Sequence, residues 1–337
     1  MEAQNLALDL EKIMEAFPEN PIEFFKGKKL CLFKACLETY FPGVRWGIQD
    51  LLEELDLEVV TCSQQSCCSG TFFQRNLITR AQFSAINERN LNEMNRQADI
   101  VLFSCNGCYN SVLRGRDFLK VPEVKKKTQG ILDNLKKKDL GENYPGKYDI
   151  LNNPKIRLVH DLDFLYLIKD SVLDSLKFDL KGLKVAVHYG CHYLNLERDK
   201  TSIESYLKDK TKLDEFVSLF GGIPVDYQEK EACCGWGASQ IVLHPEDALK
   251  ETYIKLKSAE NVGADFLLMP CPTCLYTLSK PEFRNKINEL FGEKLDIPTI
   301  HINELIAILR GCEEERCITL RRRTPRLDEI FEIITKE

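Results

Sequence analysis

Short apolar runs recur along the chain, bounded by polar or turn-forming residues: LCLF (30–33), EVVTC (58–62), DIVLFS (99–104), KVAVHYG (184–190), GIPVDY (222–227) and DFLLMP (265–270). Their length and β-prone content predict strands. Between them, apolar residues spaced three and four apart predict amphipathic helices over 46–55, 81–98, 205–220 and 245–262. Strands that alternate with helices of this length pair in parallel through crossovers, and ligands of such sheets gather at strand carboxyl ends. The expected fold class is α/β: two similar domains, an internal duplication, each with a largely parallel sheet flanked by helices. Leu6, Leu10, Ile13 and Phe17 stand at helical spacing, so residues 1–27 are expected to form an extension whose helix packs on the core. The stretch 124–154 is rich in Lys and then in Gly, Asn and Pro, which marks the join. The expected domains are therefore 28–150 and 151–311, followed by a tail at 312–337.

Composition narrows the function classes. The 337 residues are 44% hydrophobic and 29% charged, as in an ordinary globular protein. A net charge of −6 has the wrong sign for a chain that grips nucleic acid through overall charge. No apolar stretch approaches the eighteen or so residues of a membrane span, and acidic residues occupy the start where a signal peptide is basic and then apolar. A cytoplasmic chain is expected. The 14 cysteines are the anomaly. Seven disulfides suit small secreted proteins, so thiolates bound to metal are the better reading.

The cysteine positions repeat. Cys36, the vicinal pair Cys67 and Cys68, and Cys105 and Cys108 recur in the same order as Cys191, Cys233 and Cys234, and Cys271 and Cys274. Thirty-six residues separate Cys68 from Cys105, and 36 separate Cys234 from Cys271, whereas the first gap grows from 30 to 41. Ten of the 14 cysteines thus form two copies of one five-cysteine pattern. A tetrahedral zinc site or a cubane [4Fe–4S] cluster takes four such ligands, so five overfill either. Two adjacent cysteines diverge and reach two irons more easily than one ion. A cluster larger or more open than a closed cubane follows. Cys31 and Cys62 read as small buried hydrophobes, and Cys312 and Cys317 as ordinary thiols in preference to an extra metal pair.

At these positions KACLETYFPG, SCCSGTFF, SCNGCYNS, HYGCHYLN, ACCGWGAS and PCPTCLY resemble the cysteine segments of the CCG-domain family, in particular the B subunits of heterodisulfide reductases. The resemblance spans residues 28 to about 280. Three features depart from the family pattern: the first vicinal pair reads CCSG, the N-terminal extension is extra, and so is the GCEEERC tail. The resemblance implies two noncubane [4Fe–4S] clusters, one on Cys36, Cys67, Cys68, Cys105 and Cys108, the other on Cys191, Cys233, Cys234, Cys271 and Cys274, facing each other across a disulfide-binding cavity. It implies an iron–sulfur disulfide oxidoreductase, with the coenzyme M–coenzyme B heterodisulfide as its best single substrate and another sulfur compound as the alternative. The chain carries no dinucleotide fingerprint. Electrons would come from a small protein with cubane [4Fe–4S] clusters, of the heterodisulfide reductase C-subunit type. Behind it would stand a flavin and iron–sulfur protein of the A-subunit type, or a membrane cytochrome. A rival is an electron-relay or assembly subunit with zinc in one of the two sites.

His188 and His192 flank Cys191, within reach of cluster sulfur or a departing thiolate, and are the candidate catalytic side chains. His160, His244 and His301 are expected to be structural or exposed. Gly70, Gly107, Gly235 and Gly237 are expected to let the backbone approach cluster sulfur and donate amides to it. Lys125 to Lys127, Lys136 to Lys138 and Arg321 to Arg323 read as solvated faces.

Overall fold

The computed structural model describes residues 6–137, 148–152, 154–194, 211–237, 240–311 and 326–336. It contains two four-stranded sheets of identical topology. In the first, β1 (Leu30–Leu32), β2 (Val59–Val60), β3 (Ile100–Phe103) and β4 (Arg157–His160) lie in the order β2-β1-β3-β4. In the second, β5 (Lys184–Val187), β6 (Ile223–Val225), β7 (Phe266–Met269) and β8 (Thr299–His301) repeat it as β6-β5-β7-β8. Every strand pairing is parallel. The central β3 and β7 are buried at every position, which is why they read as unbroken apolar runs.

The four helices expected from periodicity form at Pro42–Glu54, Arg80–Gln97, Lys212–Leu219 and Pro245–Asn261. Residues 205–210 of the third lie outside the described residues. Helix 80–97 starts where it does because Thr79 and Gln82 form a reciprocal capping box. β4 pairs with β3 although it follows residue 150, where the sequence placed the join; the chain passes between sheets from His160 to Lys184. His160 and His301 close the fourth strand of each sheet, and the Nδ1 of each accepts from the backbone N–H two residues on, so both are structural. His244 is exposed.

At the N-terminus, helix Leu10–Ala16 follows a segment that runs parallel to β4, where Leu8 N–H donates to Leu158 O at 2.8 Å. Leu6 and Ile13 are buried there, so the extension packs on the core as expected. The end of the chain departs from a simple tail. Residues Leu327–Thr335 form a helix that buries Leu327, Ile330, Phe331 and Ile334 against helix Ile302–Leu309. That spacing of three and four is legible in the sequence but masked by the basic stretch preceding it. Cys312, Cys317 and Arg321 to Arg323 lie outside the described residues, as do Lys138 and the side chains of Lys136 and Lys137. Cys31 and Cys62 are buried, in mutual contact and outside both thiol sets.

Candidate metal centre

The cysteines sit just beyond strand carboxyl ends. Cys36 and Cys191 each open a short helical turn that follows the first strand of its sheet. Cys105 and Cys271 are the N-cap residues of helices 106–118 and 272–279, which follow β3 and β7 and place Cys108 and Cys274 in their first turns. A helix N-terminus favours thiolate over thiol through its dipole and free amides. The vicinal pairs are held from behind. Asn87 donates to Cys68 O at 3.3 Å and Asn90 to Ser66 O at 3.0 Å, and in the second copy Thr252 donates to Cys234 O at 3.0 Å.

All ten cysteines line one open cavity of about 760 Å³. Their thiols touch in sequence: Cys36, Cys67, Cys68, Cys108 and Cys105 in one half, and Cys191, Cys233, Cys234, Cys274 and Cys271 in the other. Cys105 and Cys271 then meet across the two halves. Cys105 Sγ also lies 3.6 Å from the Thr273 hydroxyl of the other half. So dense a set cannot ionise evenly. Cys36 and then Cys68 donate to Cys67 and pull it down to about 2, and Cys191 and Cys234 pull Cys233 down in the same way. Cys36 and Cys191 rise, first through that same contact and then through burial. Bound metal cations remove this conflict, because each takes thiolates directly.

Backbone amides point at the sulfurs. Ser69 N–H lies 3.4 Å from Cys67 Sγ, and the amides of Gly235 and Gly237 act on Cys233. Gly235 has φ +93° and Gly237 φ +45°, and a Cβ on either collides with neighbouring atoms. A Cβ on Gly70 runs into Ser111 Oγ. Gly107 is different: its nearest neighbour for a Cβ is Cys105 Sγ at 3.8 Å, an ordinary contact, so space alone does not demand glycine there. The CCSG departure is also explained. Ser69 follows its vicinal pair with φ 58°, the left-handed turn that Gly235 makes in the second copy.

The two candidate histidines separate. His192 lines the cavity, its Nδ1 3.6 Å from Cys191 Sγ and its Nε2 3.0 Å from Gln74 Nε2 of the other half. His188 is fully buried and is not among the residues that line the cavity. Burial first, and then the nearby Lys255 ammonium, push its pKa down to about 3. Lys255 carries no mark in the sequence. Fully buried, it donates to Glu229 O, stands over the Tyr227 ring at 5.4 Å and turns positive charge toward Cys234 and Cys274. Nothing in a helical position such as 255 signals this, because it looks like any surface lysine.

The donor set of soft, largely buried thiols with amides aimed at sulfur suits iron–sulfur groups. The sequence pattern of the cysteine-rich CCG domain matches residues 30–112 and again 185–279. The chain belongs to the CCG cysteine-rich domain family. It is similar to the B subunit of the ferredoxin/F420H2-dependent CoB-CoM heterodisulfide reductase of Methanosarcina acetivorans, at 29% identity over 84% of this chain and 89% of that one. It is also similar to a protein of Archaeoglobus profundus described as like the B subunit of heterodisulfide reductase, at 27% identity over 87% of this chain and 95% of that one. Among solved structures, a hypothetical protein from Helicobacter pylori shares the fold with a TM-score of 0.59 at 13% identity, covering 87% of this CCG chain and 51% of its own length, so this chain spans about half of that protein. No helix among the described residues is long and apolar enough to cross a membrane.

Proposed function

We propose that this CCG protein is the disulfide-cleaving subunit of a heterodisulfide reductase-type complex. It would hold one noncubane [4Fe–4S] cluster on Cys36, Cys67, Cys68, Cys105 and Cys108 and another on Cys191, Cys233, Cys234, Cys271 and Cys274. The observation that carries this reading is that both sets line one cavity and meet at Cys105 and Cys271. When bound, such clusters supply single electrons and iron sites that take sulfur as thiolate, which eases departure of the leaving group in disulfide cleavage.

The protein's own residues do the rest. The cysteines would place both acceptor sites in the lining of one cavity, so both sulfurs of a bound disulfide would have a partner there. The Gln74 amide donates to His192 Nε2, which leaves the ring proton on Nδ1, beside Cys191. His192 therefore holds a proton at the wall, ready for a departing thiolate. The substrate that best fits the names of the relatives is the coenzyme M–coenzyme B heterodisulfide, and the electrons would come from a small [4Fe–4S] protein with a flavin-containing or membrane cytochrome partner behind it.

Metal analysis of anaerobically purified protein tests this reading. About eight irons per chain are expected; about four irons with one zinc would support the electron-relay rival. Cys234→Ala should remove about half the iron and abolish disulfide cleavage together, and turnover retained in that variant would overturn the assignment.

A further inference from the structure

The two halves cross twice at the cavity, and the duplication makes the crossings equivalent. At one, the turn Cys191–Leu194 packs against helix Asn106–Phe118 of the other half. At the other, the turn Cys36–Thr39 packs against helix Pro272–Ser279. Matching positions carry opposite chemistry. The residue after the first cysteine of each set lines the cavity, and it is His192 at the first crossing and Leu37 at the second. The second residue after each vicinal pair also lines it, Gly70 at the first crossing and Trp236 at the second. A side chain at Gly70 is excluded, because its Cβ would come within 2.4 Å of Ser111 Oγ. Trp236 instead meets the Tyr276 ring edge-on at 5.8 Å, and Tyr40, next to the Cys36–Thr39 turn, meets the same ring at 5.2 Å. Equivalent glutamines complete the contrast. Gln74 pairs with His192 at 3.0 Å, whereas Gln240 donates to Glu251 of helix 245–261 at 3.0 Å. One flank of the cavity thus presents Gln74 and His192, and the other presents Ala35, Leu37 and Trp236.

We propose that Leu37 and Trp236 form a specificity-determining flank that takes the hydrocarbon arm of an unsymmetrical disulfide, while the polar arm lies on the Gln74–His192 flank. This rests on the reading that the cavity receives a disulfide. A hydrocarbon chain laid on Leu37 and the indole leaves water together with the surface it covers. A polar arm laid there loses its hydrogen bonds to water without replacement, so the flank selects against it. The opposite flank offers an amide and an imidazole in their place.

The test is a substrate series on full-length, iron-loaded protein under anaerobic conditions, with a low-potential one-electron dye as donor. Mercaptoethanol is joined through a disulfide to ethane-, butane- or hexanethiol, and bis(hydroxyethyl) disulfide is the reference. The expected result is a rise in kcat/KM of about fourfold for each methylene that the flank covers, carried mostly by KM. In Trp236→Gly, which copies the first half, the hexyl-to-hydroxyethyl ratio falls toward one, and Trp236→Phe keeps most of it. The ratio is taken within one protein, so a change in iron content cancels. If Trp236→Gly fails to fold, Leu37→Ala on the same flank is read in the same way. A flat series in the parent, or a ratio that these variants leave unchanged, would overturn the proposal and leave disulfide cleavage standing. Iron-loaded parent protein that cleaves none of these disulfides would overturn both.

Discussion

Gly235 follows the second vicinal pair with φ +93°, and a Cβ there runs into Thr252 Oγ1 and the Ala248 carbonyl of helix 245–261, with Thr252 N at 3.2 Å. Gly235→Ala therefore combines three costs. A left-handed conformation costs an L-residue about 1–2 kcal/mol. Overpacking against a helix backbone that cannot swing aside costs about 1–3 kcal/mol. Displacing Thr252 breaks its 3.0 Å hydrogen bond to Cys234 O, worth about 1 kcal/mol. The loss should be on the order of 4 kcal/mol, and the strain falls on the backbone that aims Cys233 and Cys234. The matched control is Ser69→Gly in the first copy, where φ is already 58°. Relief of left-handed strain there is offset by the greater freedom of glycine in the unfolded chain, so stability should stay within about 1 kcal/mol. Urea denaturation of the reduced, metal-free protein and iron per chain after reconstitution read both effects. A Gly235→Ala protein with the parent's midpoint and full iron would refute the claim that this turn shapes the second site.

Two further outcomes follow from the same geometry. His192→Gln should keep its iron yet slow disulfide cleavage by roughly 10²–10⁴, the span of a lost general acid; unchanged turnover with a saturating electron donor would remove His192 from proton delivery. Asp161 is pushed up to about 7, chiefly by burial and against the hydrogen bond from Asn303. In the unfolded chain aspartate titrates at about 3.9, so the folded state keeps a proton that the unfolded state has lost, and stability falls as pH rises from about 4 to about 7. Asp161→Asn should flatten much of that slope and gain stability over the parent at neutral pH but not at pH about 4. Glu38, also raised to about 7 by burial, keeps part of the slope. Parallel curves for parent and variant would contradict this account.

What could be read from the chain was local. Apolar runs gave the positions of β1, β3, β5 and β7, and the equal Cys68–Cys105 and Cys234–Cys271 gaps exposed the duplication, because a repeated βαβ frame spaces its strand ends equally. What could not be read depends on contacts between distant residues. Membership of β4 in the first sheet follows from its pairing with β3, which no composition shift near residue 150 reports. The carboxylates of Glu38 and Asp161 look solvent-bound in sequence, yet Ser104 donates to the first at 2.6 Å and Asn303 to the second at 2.8 Å inside the core. His188 stands three residues before Cys191 and His192 one residue after it, and neither position tells which ring faces the thiols. Only the packing of strand against turn sends one ring inward and the other to the cavity.

The same limit bears on how two copies make one site. Each half alone offers five thiols at strand ends, which spacing can suggest, but the shared cavity exists only because the halves interlock. Helix 42–54 of the first half crosses helix 302–309 so closely that a Cβ on Gly47 would come within 2.5 Å of Asn303 O, and Asn303 donates to Val44 O at 3.0 Å. Nearer the thiols, Asn106 donates to Tyr189 O at 2.8 Å, and a Cβ on Gly190 would meet the Asn106 amide at 2.5 Å. These tight crossings hold Cys105 against Cys271 and Gln74 against His192. Duplication therefore supplied the ligands twice, but the residues that join the copies are not duplicated: Thr273 faces Cys105 where the first copy has Gly107, and His192 stands where the first copy has Leu37. Two thiol sets built on equal frames with unequal neighbours therefore line one cavity with different side chains in its two halves.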